Sequence, residues 1–317
     1  MTDLRALPST PAAPAHRSPT AWLNDQPYLL LSLTALFWAG NIVLARHVGN
    51  HVPPVTLTTI RWFSTFLMVL PFAWPHLKRD WPALRAQLPL MVFLSAIGFA
   101  FNNAISYWAL QYTEALNALL IQSSGPLFVA LWSLILFGVR LTAAQFAGIA
   151  ISLLGVLTII LRGDFSALAT ISFNRGDVMF AASLLSFGLY SALIPRRPKT
   201  HQLSFLSFTT CCGALMLAPF SALEFTTGAT LKFDWLTLAT LGYVLIFPSA
   251  LAYLFFNRGV AAIGPNRAAP FFHLIPVFGS VMAILLLGEK LKLFHLVGYA
   301  LVLAGVVFAS RRGSAVR

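Results

Sequence analysis

Charge is what this sequence has least of. Only 9% of its 317 residues are Asp, Glu, Lys or Arg, against roughly 25% in a soluble domain. So few charges cannot cover a water-exposed surface, so lipid must solvate most of the chain. Acid is scarcest, with 9 Asp and Glu against 21 Lys and Arg. The basic residues stand singly between long apolar runs, which argues against a nucleic-acid surface. Cysteine is limited to the adjacent pair Cys211 and Cys212. Neighbours on a helix point about 100° apart and bridge poorly. No disulfide or metal site is implied, and two buried free thiols are expected. HExxH, GxSxG and Walker patterns are missing, as are paired carboxylates within the apolar runs. An enzyme embedded in the membrane would need such groups, so no catalytic residue and no cofactor is expected.

What the chain does have is apolar length. Ten runs of about 17 to 24 residues read as membrane-spanning helices: 28–45, 55–74, 88–110, 115–137, 143–161, 178–194, 203–223, 236–257, 267–287 and 293–310. The joint at 111–114 is tight enough that the third and fourth runs could also be one long broken helix. Residues 1–27, rich in Pro, Ala, Ser and Thr, read as a disordered tail. With that tail in the cytoplasm, fourteen basic residues fall inside and six outside, with Arg61 within a span. This is the bias of the positive-inside rule, and it puts both termini in the cytoplasm of a bacterial inner membrane. The acids lean outward: Glu114, Asp164, Asp177, Glu224, Asp234 and Glu289.

The chain repeats itself. Residues 108–157 lie on 258–307 at a constant offset of 150 without a gap. Pro126 meets Pro276, Gly138 meets Gly288, Arg140 meets Lys290, Gly148 meets Gly298 and Gly155 meets Gly305. Each half, 28–161 and 176–310, holds five spans, an odd number, so the second half inserts upside down relative to the first. An extracytoplasmic connector at 162–175 joins them, and a basic tail at 311–317 ends the chain. Inverted repeats are a secondary-transporter architecture, with the substrate site near the midplane between the halves.

At these residues the chain resembles the EamA-type branch of the drug/metabolite transporter superfamily. The resemblance rests on Leu36-Phe37-Trp38-Ala39-Gly40-Asn41, on Arg61-Trp62-Phe63, on Tyr107-Trp108-Ala109-Leu110-Gln111-Tyr112-Thr113 followed by Ala118 and Pro126, and on Gly288-Glu289-Lys290-Leu291 followed by Gly298 and Gly305. It covers roughly residues 28–310. It implies an all-α integral membrane protein of ten helices in two inverted five-helix repeats around a central cavity. It favours export but implies no substrate, since relatives carry amino acids, other metabolites or toxic organic compounds. Amino acids or related metabolites are the leading expectation. The first half departs from the pattern: Gly138-Val139-Arg140 lacks the acid of the Gly-Glu stretch.

Polar residues are costly in hydrocarbon and tend to face the protein interior. The candidates for a cavity lining are Trp38, Asn41, Asn103, Tyr107, Gln122, Ser123, Tyr190, Tyr253, Asn257 and His273. Ser191 and Ser249 read as groups bonding helix to helix. Pro126 and Pro276 are expected to kink their helices and free the carbonyls of Gln122 and Phe272, as hinges or as packed static bends. Arg61 could bind a carboxylate or reach back to the head groups. His273 is read as the one histidine well inside a span, either a proton-exchanging group or a satisfied neutral donor. No acid lies deep in any of these runs, so a carboxylate relay is not indicated. The expected partners are a small-molecule substrate and the lipid bilayer, with the protein a monomer or homodimer. A phosphorylated solute would call for several cations converging on the site.

Overall fold

A computed structural model describes residues 25–49, 51–138, 143–164, 174–263 and 269–310. Among them the ordered elements are all helical. Hydrocarbon offers the backbone no water to bond, so a chain this apolar must satisfy its amides internally. The elements are α1 Pro27–His47, α2 Pro54–Ala86, α3 Leu88–Ser95, α4 Phe101–Ala109, α5 Ala115–Gln122, α6 Gly125–Phe137, α7 Ala143–Ile160, α8 Arg175–Leu193, α9 Gln202–Thr226, α10 Trp235–Val244, α11 Ala252–Ile263, α12 Leu274–Leu287 and α13 Leu293–Ser310. A π-helical stretch, Ala96–Ala100, joins α3 to α4, and a second, Leu245–Leu251, joins α10 to α11.

Six of these runs are long and apolar enough to cross a membrane: α1, α2, α3 with α4, α8, α9, and α10 with α11. The pair α5 and α6, bent by 49°, makes a seventh, and shorter apolar helices occupy Phe146–Ile160, Phe271–Leu287 and Leu293–Gly305. The joint at 111–114 is a turn that separates α4 from α5. The expected tails at 1–27 and 311–317 and the connector at 162–175 fall mostly outside the described residues. The long α2 runs through Pro71, Pro75 and Pro82 without ending. Its 33 residues span about 50 Å, well beyond a hydrocarbon core of about 30 Å.

The prolines act differently from the expected kinks. Pro126 sits in the first turn of α6 and Pro276 in the first turn of α12. A first-turn residue has no intrahelical acceptor for its N–H, so proline costs no bond there. In the first half the bend is a break between two helices at Ser123–Ser124. In the second, 150 residues on, a 3-10 turn Ala269–His273 runs directly into α12. Gly138 and Gly288, at the same offset, both close their helices with positive φ, 60° and 68°.

Packing follows the offset too. α7 lies along α13, and α2 along α9. α8 packs on α4 and α6, while α1 packs on α11 and α12. A Cβ on Gly155 would stand 2.6 Å from the Gly298 carbonyl, and one on Gly305 would collide with the Gly148 carbonyl. The four glycines that mark the repeat thus bring the α7 and α13 backbones together, as small residues do where lipid leaves little hydrophobic drive between helices.

The gathering of acids at one end of the helices has a local cause. Glu224, near the end of α9, accepts from the Val55 and Thr56 amides at 2.9 and 2.7 Å, and Glu289, beyond α12, accepts from those of Ala115 and Leu116, both at 2.8 Å. Asp234 caps α10 through the Thr237 amide at 2.8 Å, and Asn174 caps α8. Helix starts carry orphan N–H groups and a positive dipole end, and the starts of these four helices, α2, α5, α8 and α10, are met here. At the opposite end Asp80 accepts from the His201 amide at 2.7 Å and the Ser204 hydroxyl at 2.8 Å. α2 and α9 therefore cap each other at both ends. Cys211 and Cys212, on α9, are free and half-buried, less enclosed than expected.

The α7–α13 contact predicts that Gly155→Leu destabilises the protein by about 1–3 kcal/mol through overpacking. A Cβ on Gly242 meets nothing within 4 Å. Gly242→Leu should stay within about 0.5 kcal/mol. Thermal unfolding of the purified variants in detergent checks both.

Candidate functional site

The centre of the described helices is polar, and it gathers on Arg61. This side chain is 5% exposed, so it does not snorkel to head groups. α2 delivers it as its eighth residue, facing α4 and the π stretch after α10. Its Nε donates to the Ser249 hydroxyl at 2.8 Å, and one Nη donates to the Tyr107 hydroxyl at 2.8 Å and to Asn103 Oδ1 at 3.2 Å. The Tyr107 hydroxyl in turn donates to Asn41 Oδ1 at 2.8 Å, which ties in α1. The Trp62 ring lies 4.4 Å from the guanidinium carbon, a contact a desolvated cation favours. Among the described residues no carboxylate forms an ion pair with Arg61.

The π stretches make this geometry available, since a π turn frees carbonyls that an α-helix would occupy. The Phe99 carbonyl accepts from Trp62 Nε1 at 2.8 Å and, with that of Gly98, from Asn103 Nδ2 at 3.3 Å. Ile97 accepts from the Ser186 hydroxyl of α8. In the other half Pro248 accepts from Trp38 Nε1 of α1 at 3.1 Å, and Ser249 donates to the Val244 carbonyl. Each stretch is thus bonded by the first helix of the opposite half.

Beside this network lies an aromatic group. Trp38 stacks on Phe272, with ring centroids 5.5 Å apart, and meets the edges of Tyr253 and Phe256 at 5.9 and 5.7 Å. Tyr190 packs its ring edge-on against Phe99 and fills the space that a Cβ on Gly98 would take.

Of the residues marked from sequence, the structure therefore joins Asn41, Arg61, Asn103 and Tyr107 by hydrogen bonds and sets Trp38, Tyr190 and Tyr253 nearby. Ser249, read as helix glue, is a direct partner of the arginine. Ser123 is not drawn in: its hydroxyl returns to the Leu120 carbonyl of its own helix at 2.6 Å. Gln122, half-buried at the end of α5, stands outside the network. His273 precedes α12 with its Nδ1 buried and unbonded. The Asn257 side chain lies outside the described residues.

Two features escaped the sequence reading. A cavity of about 670 Å³ opens at the Glu289 end, lined by Arg46, Gln111, Glu114, Glu289, Lys290 and Lys292 among others. Burial there raises the Glu289 carboxyl above the usual glutamate range, against the pull of the Leu116 and Ala115 amides. The second is a fully buried chain of Thr113, Asn117, Asp177 and His295, whose relative exposures are 1% or less. The sequence reading put Asp177 in a loop and credited only His273 with a place well inside a span. Helix packing encloses both Asp177 and His295, at helix starts that hydropathy marks as span edges.

Tyr107→Phe would leave an Arg61 donor and Asn41 Oδ1 unpaired. It should cost about 1–3 kcal/mol, more than Tyr299→Phe, whose hydroxyl makes one long bond of 3.4 Å to the His273 carbonyl. Paired melting curves check the difference.

Comparison with known proteins places this arrangement among transporters. The model of the EamA-like transporter family matches twice, at residues 26–161 and 174–311. The "Uncharacterized transporter YyaM" of Bacillus subtilis (strain 168) is 27% identical over 89% of this chain and 93% of its own length. The "Probable terminal-alkyne amino-acid exporter" of Streptantibioticus cattleyicolor is 26% identical over 89% and 92%. The "Probable amino-acid metabolite efflux pump" of Escherichia coli (strain K12) is 26% identical over 91% and 97%. A solved crystal structure superposes with a TM-score of 0.57 over 90% of this chain and 96% of its own, at 19% identity, a likeness of fold alone.

Proposed function

Because the chain belongs to the EamA-like transporter family of multi-pass membrane proteins, we propose that it exports amino acids or closely related carboxylates from the bacterial cytoplasm. It does so by alternating access between two inverted five-helix repeats, ten spans in all, with both termini in the cytoplasm. The observation that carries the reading is Arg61, a buried guanidinium bonded to neutral groups only among the described residues. A buried cation without a counter-charge is costly, and a substrate carboxylate arriving beside Ser249, Asn103 and Tyr107 would supply one. Guanidinium and carboxylate pair in a planar fork, which gives orientation as well as charge. Trp38, Tyr253 and Phe272 would wall the apolar part of the solute, and the break before α6 and the 3-10 turn before α12 would serve as its hinges.

Supporting the inverted repeat are the double family match, the constant offset of 150, and the paired π stretches, first-turn prolines and glycine contacts. Two relatives are named as amino-acid or amino-acid metabolite exporters, which supports the substrate class and direction. A phosphorylated solute fits less well, because Arg61 is the only fully buried Lys or Arg among the described residues.

Cells overexpressing the protein should resist toxic amino-acid analogues and hold less of them than cells with empty vector. Arg61→Met, present at equal abundance in the membrane, should abolish the effect. Protection against cationic drugs that survives Arg61→Met would refute the carboxylate reading, and accumulation of the analogue would reverse the direction.

A further inference from the structure

The buried chain at the start of α8 has a chemistry of its own. Asp177, 0% exposed, stands in the first turn of α8. Thr113 donates to Asp177 Oδ1, and Asn117 Nδ2 donates to Oδ1 and Oδ2 at 3.2 and 3.0 Å. With its amide nitrogen so committed, Asn117 offers Oδ1 to His295 Nε2 at 2.8 Å. The other histidine nitrogen accepts the Lys292 amide at 3.0 Å. Both histidine roles are thereby assigned: Nε2 carries the proton, Nδ1 has none, and the ring is neutral.

The carboxylate thus has neutral hydrogen-bond partners only. Its charged form is favoured by two side-chain donors and by the α8 N-terminus, and is opposed by complete burial. The charged groups near it are Arg162 beyond α7 and Glu114 before α5, with Lys292 and Arg162 acting on His295. Arg175, on the same helix, lies over the Tyr112 ring at 3.6 Å. α4, α6 and the π stretch Ala96–Ala100, which pack on the rest of α8, contain no charged residue. The site also bridges the halves of the chain: α5 brings Asn117, α8 brings Asp177 and α13 brings His295. Glu114, next to Thr113, lines the 670 Å³ cavity, which brings that cavity within one residue of the Asp177 network.

We propose that Asp177 is a proton-binding site, taking one proton from this cavity and returning it during the transport cycle. Protonation turns the carboxylate into a neutral acid and consumes nothing else. It weakens the charge-assisted bonds from Thr113 and Asn117, and with them the contact of α5 with α8 and α13. Closure at this end then depends on the proton, as solute export driven by a proton gradient requires. The proposal rests on the transport reading above.

The test uses the whole protein in phospholipid vesicles. Infrared difference spectra between pH steps should show, for the native chain, the carbonyl band of a protonated carboxyl, missing in Asp177→Asn. Thr113→Val, which keeps the acid, should shift the pH at which the band appears. In transport, Asp177→Asn should lose the dependence of solute export on a pH gradient yet still exchange labelled for unlabelled solute at equal pH. The solute is the amino-acid analogue found in the growth assay. A native spectrum without such a band, or gradient-driven export intact in Asp177→Asn, would overturn the proposal. Failure of exchange in the native chain as well would count against the transport reading, and the infrared result would still decide the proton site.

Discussion

A guanidinium removed from water must be surrounded by something that tolerates its charge, and the middle of this molecule is organised around that demand. Arg61 draws Ser249 from one half of the chain and Asn103 and Tyr107 from the other, while Trp62 lends a ring face. Asn103 can face it because the preceding π turn leaves carbonyls free for the amide nitrogen. Ser249 can face it because its own hydroxyl proton is spent on Val244, leaving a lone pair. These are the acceptors of a cation whose charge no side chain balances, and that imbalance makes the site a candidate for an anionic group from outside.

The second constraint is the supply of helix starts. Loops are short, so several helices begin side by side at one end, each with unpaired amides. Several of the chain's few acids are used there, and two of them reach across: Glu224 onto α2 and Glu289 onto α5. Closure of that end is thus built partly from bonds between halves. The position matching Glu289 in the first half is Val139, so this carboxylate cap has no sequence counterpart at the opposite end.

Asp177 stands near that same end but is enclosed rather than exposed. Arg61 and Asp177 carry opposite charges in separate networks, one among α1, α2, α4 and the π stretch Leu245–Leu251, the other among α5, α8 and α13. Under the two proposals, keeping them apart lets each meet a different partner, a carboxylate for the cation and a proton for the acid.

Much of this was legible in the sequence. Apolar length and scarce charge determined a membrane protein of many helices, because hydrocarbon leaves the backbone no other solution. The offset of 150 located the glycines that later meet in space, and Arg61, Asn41, Asn103 and Tyr107 stood out as polar residues in apolar runs. Tertiary structure decided what could not be read along the chain. A proline in a span can kink a helix or begin one, and neighbouring turns choose between the two. A serine can serve its own backbone, as Ser123 does, or a distant arginine, as Ser249 does; the difference lies in what packs opposite. Asp177 and His295 sit where hydropathy places the edge of a span, yet both are fully enclosed. Enclosure belongs to the assembly of helices rather than to any one of them, because burial is set by neighbours distant in sequence.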